Sequence, residues 1–318
     1  MGEIIKSKRP ELISPKAEIK TVKDIMMPSH NRTYVPVPFV QSMFPHKDPK
    51  TFTWSKESSN NKLRVVSGLY IDNTPIGIPF GAKARMLLCS ITKEVGRTES
   101  REVFLGESMN QLMLSMGMTN KRGGEDSDRE LLHEQMVRLF HCQINIFDKL
   151  DPDRNPADEE MGEEVVKQGK RKKTPARSIL IVTHDESQSQ TDWNKTVTIS
   201  DEFFQILMKY DKVPLDLNHM KALKRSSLQL DLYAWLTWAS YWVWTTGDTG
   251  PFISWDELRA TFSSYAENYD FKRSAIPALK KIQEVYTRLR IKVDDDLGVQ
   301  FQKNTLPAVD PKNKLILD

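Results

Sequence analysis

Two stretches of this chain spell the same succession of elements, and that repetition limits the fold more than any single motif. Between residues 80 and 184, Phe80, Ala84, Leu87, Leu88, Ile91 and Val95 recur at i, i+4, i+7 and i+8 spacing. That is one buried face of an amphipathic helix, which Gly96 ends. "REVFLG" reads as a short strand, "ESMNQLMLSMGM" as a helix with Leu112, Met113 and Met116 inward, and "NKRGGEDSD" as a turn. A further helix, "DRELLHEQMVRLFHC", keeps Leu131, Leu132, Met136, Leu139 and Phe140 in register, and "QINIF" with "SILIV" alternates as two strands of a hairpin should. Residues 226 to 302 repeat the order. "LKRSSLQLDLYAWLTWASYWVW" is a helix, "PFISW" a short strand, and "SWDELRATF" a helix with Ser254 as N-cap and Glu257 at the capping-box position. A last helix runs from Phe271 into a hairpin whose turn is Asp295-Asp296-Leu297-Gly298.

Helix, strand, helix, turn, helix, hairpin is the order of a winged helix. The expected fold class is therefore α+β, with two tandem winged-helix domains over residues 61–220 and 221–305 and a tail over 306–318. Residues 1–60 carry Pro10, Pro15, Pro28, Pro36, Pro38, Pro45 and Pro49 among polar residues, which predicts a flexible, extended or disordered proline-rich arm. "DEFFQILMKYDKVPLDL" gives a helix start and a turn. Residues 151–177 run from acidic to basic with no aromatic residue, which predicts a long solvated loop inserted at the tip of the first hairpin. The basic cluster at its end could touch phosphate.

Trp235, Trp238, Trp242 and Trp244 do not make a membrane span. The apolar run falls short of the ~20 residues a bilayer needs, and Asp231, Thr237 and Ser240 interrupt it. Aromatic residues around the helix instead predict burial on several sides. The polar N-terminus argues against export, so the expected location is the cytoplasm. Cys89 and Cys142 form no C-x-x-C pair and read as buried apolar residues.

The balance of 46 basic against 43 acidic residues decides nothing about a partner; the placement of the charge does. At helical period, Phe271, Ala275, Leu279, Ile282, Tyr286 and Leu289 lie on one side of the last helix. The far side receives Arg273, Lys280, Lys281 and Arg288, with Glu284 the only acid among them and Lys272 at the border. A surface helix needing only solubility would mix signs to gain pairing energy. This one repels itself directly before a hairpin, where a winged helix carries its recognition helix, so double-stranded DNA is the expected partner. Asp294 to Asp296 argue against close phosphate contact at the hairpin tip. Pro277 leaves two readings: the helix is kinked there, or it starts later with Ser274 as cap, which would put Lys272 and Arg273 in the preceding loop.

Several segments together resemble the plasmid replication initiators of the RepA type, from about Ile78 to Phe301. They are "IPFGAKARMLLCSITKEVGRTESREVFLGESMNQLM", "LLHEQMVRLFHCQI", "LKRSSLQLDLYAWLTW", and "WDELRATF" followed by "FKRSAIPALKKI". The resemblance implies binding to directly repeated sites, iterons, at a plasmid origin, and recruitment of the host initiator of the DnaA type and the replicative helicase. It also implies plasmid copy control through a homodimer in equilibrium with monomer, the dimer repressing its own gene. Carried onto this chain, the C-terminal recognition helix matches Lys272, Arg273, Lys280 and Lys281. The N-terminal helix-turn-helix matches the turn Lys121-Arg122-Gly123-Gly124 and the helix bearing Arg129 and Arg138, the latter close enough to the apolar stripe to be structural. Pro277 and the 151–177 insertion depart from the family pattern.

Enzymatic readings leave little behind. There is no G-x-x-x-x-G-K-[ST] loop and no H-x-H pair; His133, His141 and Cys142 lack ligand spacing, and His184, Asp185 and Glu186 alternate faces on a strand. No catalytic residue, metal, cofactor or enzymatic activity is expected. The alternatives are a winged-helix repressor reading an inverted repeat, and a pure protein-interaction module without salt-dependent DNA binding.

Overall fold

The computed structural model describes residues 32–58, 61–119, 127–148, 177–183, 195–209, 212–247, 250–262 and 268–309. The inserted segment expected over 151–177 lies outside them except for Arg177.

Residues 32–57 depart from the expectation of an extended or disordered arm. Strand β1 (Arg32–Pro36) pairs antiparallel with β9 (Lys212–Asp216), from Arg32 opposite Asp216 to Pro36 opposite Lys212. A short helix, α1 (Val37–Gln41), follows, with Pro38 in its first turn, where a missing N–H costs nothing. Val35, Phe39, Phe44 and Trp54 are buried in the main core. The prolines delimit short elements here, and the apolar residues between them decide the packing.

The first half contains α2 (Gly81–Thr98), β4 (Glu102–Phe104), α3 (Met109–Ser115) and α4 (Asp128–His141). β5 (Gln143–Asp148) pairs with β6 (Arg177–Leu180) in the expected hairpin, extended on the other side by β3 (Asn61–Val66) and β2 (Thr53–Glu57) to the order β2-β3-β5-β6. The short strand β4 does not join that hairpin. It pairs with β8 (Thr196–Ile199), which in turn pairs with β7 (Val182–Thr183), the continuation of β6 beyond buried Ile181. Four residues of "TVTI" are too short for their alternation to register in the sequence, and this strand draws β4 away.

α5 (Asp201–Lys209) leads into β9, and α6 (Leu217–Leu223), capped by the Asp216 carboxylate, leads into α7 (Ser227–Thr246). The domain division expected between residues 220 and 221 falls inside α6. α7 has buried residues on several sides, as its aromatic content suggests, with Leu230, Tyr233, Leu236 and Val243 in the core. β10 (Phe252–Ser254), α8 (Trp255–Phe262), α9 (Asn268–Val285), β11 (Ile291–Asp294) and β12 (Gly298–Phe301) complete the second half, with sheet order β10-β12-β11. Here the short strand does pair with the hairpin: Phe252 faces Gln300 and Ser254 faces Gly298. The capping box of α8 is formed as its sequence indicates, Ser254 N donating to Glu257 Oε2 at 2.8 Å and Glu257 N to Ser254 Oγ at 3.3 Å. The start of the expected 306–318 tail is packed: Leu306 N donates to Arg288 O at 3.2 Å, and Val309 is buried. No helix among the described residues is long and apolar enough to cross a membrane.

Candidate nucleic-acid interface

α9 is held along its whole inner face. Phe271, Ala275, Leu279 and Ile282 are buried, and Tyr286 and Leu289 continue the stripe past its end. The Phe271 ring meets Trp255 of α8 edge-on at 6.4 Å. At the far end the Tyr286 hydroxyl lies 2.7 Å from Ser240 Oγ on α7 and donates to Leu306 O at 2.6 Å. Burial pushes the Tyr286 phenol above its ordinary range, so it stays a donor.

The helix begins at Asn268, so the reading in which it starts after Ser274 is incorrect. Lys272 and Arg273 are helical residues, and the Ser274 hydroxyl is not a cap: it donates to Asp270 O at 3.1 Å, one turn back. The reason is packing. Phe271 must reach Trp255, and that contact holds the first turn in place. Pro277 sits inside the helix, at an exposed position, where its missing N–H leaves the Arg273 carbonyl without its helical donor.

The outward stripe of α9 is Arg273, Pro277, Lys280, Lys281 and Glu284, all exposed. The Arg273 guanidinium is 3.9 Å from Asp270, a loose pair in solvent, and Lys281 Nζ is 2.7 Å from Glu284 Oε2. Lys280 makes no ion pair among the described residues. Lys272 lies to one side, its ammonium 5.9 Å from the centre of the Trp255 ring. Arg288 is half-buried in the turn after α9 and is engaged with the protein. The structure thus puts Arg273, Lys280 and Lys281 on one surface, with Ser274 and Lys272 at its edges.

The hairpin beside this surface is fixed by its own turn. Asp294 Oδ1 accepts from Asp296 N and Leu297 N, both at 3.0 Å, and the Trp255 indole donates to Asp294 O at 2.9 Å. Gly298 has φ 146°, and a Cβ there would lie 2.1 Å from Ile253 O, so strand β10 can approach only a glycine.

In the first half, Lys121 and Arg122 lie outside the described residues. Arg129 is exposed in the first turn of α4, whose N-cap Ser127 accepts from Glu130 N at 3.2 Å. Arg138, on the same helix, is structural: it donates to Ile78 O and pairs with Asp48 at 3.0 Å and Glu134 at 2.7 Å, over the Phe80 ring.

A contact that sequence reading missed joins the two halves. Arg85 of α2 and Asp231 of α7 form a buried bidentate pair, 2.6 and 2.7 Å, with His46 Nε2 2.8 Å from the same carboxylate. A single acid inside the apolar run of α7 was the available signal, since a carboxylate is rarely buried without a cation.

The fold and this surface define a mixed α+β protein that presents one basic helix beside a rigid hairpin. The family model described as plasmid encoded RepA protein matches residues 78–257, more than half of the chain. The chain belongs to this family of plasmid replication initiators. Curated proteins yield no match. Among solved structures, the chain is similar to the crystal structure of RctB domains 2-3 at 12% identity and a TM-score of 0.43, over 76% of this chain and 82% of that one. It is also similar to a selenomethionine derivative of RctB domains 2 and 3, at 12% identity and a TM-score of 0.46, over 78% and 86%.

Proposed function

We propose that this protein initiates plasmid replication by binding directly repeated sites at the origin, as two tandem winged helices gripping successive major grooves of one iteron. The observation that carries the reading is the α9 stripe. Arg273, Lys280 and Lys281 stand exposed on a helix whose other face is fully packed, directly before a pinned hairpin, in a chain of the plasmid RepA family. In that arrangement the lysines neutralise phosphates and set register, while a few side chains of the stripe meet base edges. The three acids of the hairpin tip keep it off the phosphates. Arg129, with Lys121 and Arg122, would serve the first half in the same way. Several bound monomers then strain the adjacent A·T-rich DNA, where unstacking costs least, and the host DnaA-type initiator and helicase are recruited there. A dimer in exchange with the monomer represses the chain's own gene. The protein acts by binding alone, without a catalytic step or cofactor.

DNase footprinting of the purified protein on DNA flanking its own gene tests this. Regular protections over direct repeats, about two helical turns apart, support the initiator reading. One symmetric footprint at the promoter and nothing else would leave a repressor and overturn it.

A further inference from the structure

Trp255 touches both parts of the basic surface at once. It opens α8 and is buried. It holds the hairpin turn from both of its ends: the backbone N–H donates to Leu297 O at 3.3 Å, and the indole N–H donates to Asp294 O at 2.9 Å. At the root of the hairpin, the Gln283 side chain of α9 donates to Ile291 O at 3.1 Å. The hairpin is therefore fixed to α9 at its base and to Trp255 at its tip.

The same ring carries a cation of α9. Phe271 meets it edge-on at 6.4 Å, and the next residue, Lys272, lays its ammonium 5.9 Å from the ring centre. Lys272 makes no ion pair among the described residues. Two acids close to the pair in sequence are engaged elsewhere: Asp270 faces the Arg273 guanidinium at 3.9 Å, and Glu257 Oε2 accepts from both the N–H and the hydroxyl of Ser254 at 2.8 Å. A carboxylate in place of the ring would hold Lys272 by neutralising it, and a phosphate would have to displace that carboxylate. An aromatic face orients an ammonium and leaves its charge uncompensated. The Lys272 side chain is half-buried, so its stem has given up part of its freedom before any anion arrives.

We propose that Trp255 is a positioning residue for DNA: its ring aims Lys272 at a backbone phosphate beside the hairpin, and its two hydrogen bonds hold the hairpin tip at a set distance from that cation. The inference rests on the DNA-binding part of the reading above. Trp255 itself is buried and touches no DNA. Asp295 and Asp296 at the tip are exposed, so a phosphate is attracted at Lys272 and repelled a short way beyond it. One ring thus sets the spacing between an attractive and a repulsive group, which narrows the registers that α9 can take on the duplex.

The test uses the full chain with W255F, which keeps a ring under Lys272 but drops the indole donor, and W255L, which drops both. Each is made alone and with K272Q, and binding to a duplex from the plasmid origin is followed by fluorescence anisotropy over a salt series. K272Q should make the salt slope shallower by about one unit. W255L should bind about two- to fivefold more weakly than W255F, and this difference should vanish beside K272Q, which a purely structural role of the ring would not produce. Equal or tighter binding by W255L, or a difference that persists beside K272Q, overturns the positioning role. If W255L does not fold, fluorine NMR of the fluorotryptophan-labelled chain decides instead. The Trp255 resonance, assigned by its loss in W255F, should move when saturating duplex is added to the wild type and stay in place in K272Q. A resonance that moves equally in both, or in neither, overturns the role. A K272Q slope equal to the wild type's, beside a shallower slope in K280A/K281A, sinks this inference alone. A wild-type chain without salt-dependent DNA binding sinks the DNA-binding reading with it.

Discussion

Arg85 and Asp231 meet through two short hydrogen bonds, Nε to Oδ1 at 2.6 Å and Nη2 to Oδ2 at 2.7 Å, although 146 residues separate them. The remaining guanidinium hydrogens go to Phe44 O at 2.6 Å, Gly81 O at 2.7 Å and Pro45 O at 3.4 Å, so this one arginine ties α2, α7 and the proline-rich segment together. Nothing in the pair is left for solvent.

Removing one partner strands a buried charge, at a cost of about 3–5 kcal/mol. Asp231→Asn is therefore expected to lower the urea midpoint strongly. The pH dependence gives a sharper check. Burial raises the Asp231 carboxyl, but the Arg85 guanidinium and the His46 bond outweigh it and hold the group below the usual carboxylate range. The folded pKa lies below the unfolded value of about 3.9. The contribution is thus complete above about pH 5 and is lost as pH falls through the folded pKa. The variant's stability should fall less steeply than the wild type's between roughly pH 5 and pH 2, measured by urea titration.

Lys280→Ala with Lys281→Ala should weaken binding to every duplex tested and make the salt slope shallower by about one to two units, because phosphate contacts carry no sequence information. Sequence preference should persist. A slope equal to the wild type's would remove both lysines from the interface.

Pro277 occupies an exposed position in the middle of an 18-residue helix. Pro277→Ala restores the hydrogen bond to the Arg273 carbonyl and removes the ring's clash, so the variant should be more stable by about 1–2 kcal/mol after allowing for the freer unfolded chain. The readout is the thermal midpoint. A lower midpoint would mean that the helix bends at Pro277 to make its contacts with α7 and α8.

Gly298→Ala should damage the hairpin, since φ 146° is a region L-residues avoid and the new methyl would lie 2.1 Å from Ile253 O. A loss on the order of 2 kcal/mol or more is expected, with the Trp255 fluorescence shifted as its bond to Asp294 O is disturbed.

The local patterns were legible in the sequence because each depends on neighbours along the chain. The spacing of Phe271, Ala275, Leu279 and Ile282 fixed which face of α9 is buried and therefore which cations are outward. Ser254 with Glu257 fixed the start of α8, and the acids before Gly298 fixed a turn. The family followed from motifs read in the same way.

Tertiary structure alone decided what those elements touch. The first sixty residues look like an arm because prolines forbid long elements. Yet β1 finds its partner in β9, some 180 residues away, and local periodicity says nothing of such a pairing. β4 could be recognised as a strand, but its partner β8 is four residues long, and only the three-dimensional pairing shows that it leaves the hairpin. Arg138 reads in one dimension as either a DNA-facing or a structural cation, and Arg85 carries no local signal; the carboxylates and carbonyls that claim them come from distant segments. The start of α9 was set by a ring in the preceding helix. Hydrophobic spacing determines which side of an element is buried, whereas the identity of what buries it is a long-range property that the energy of the whole core selects.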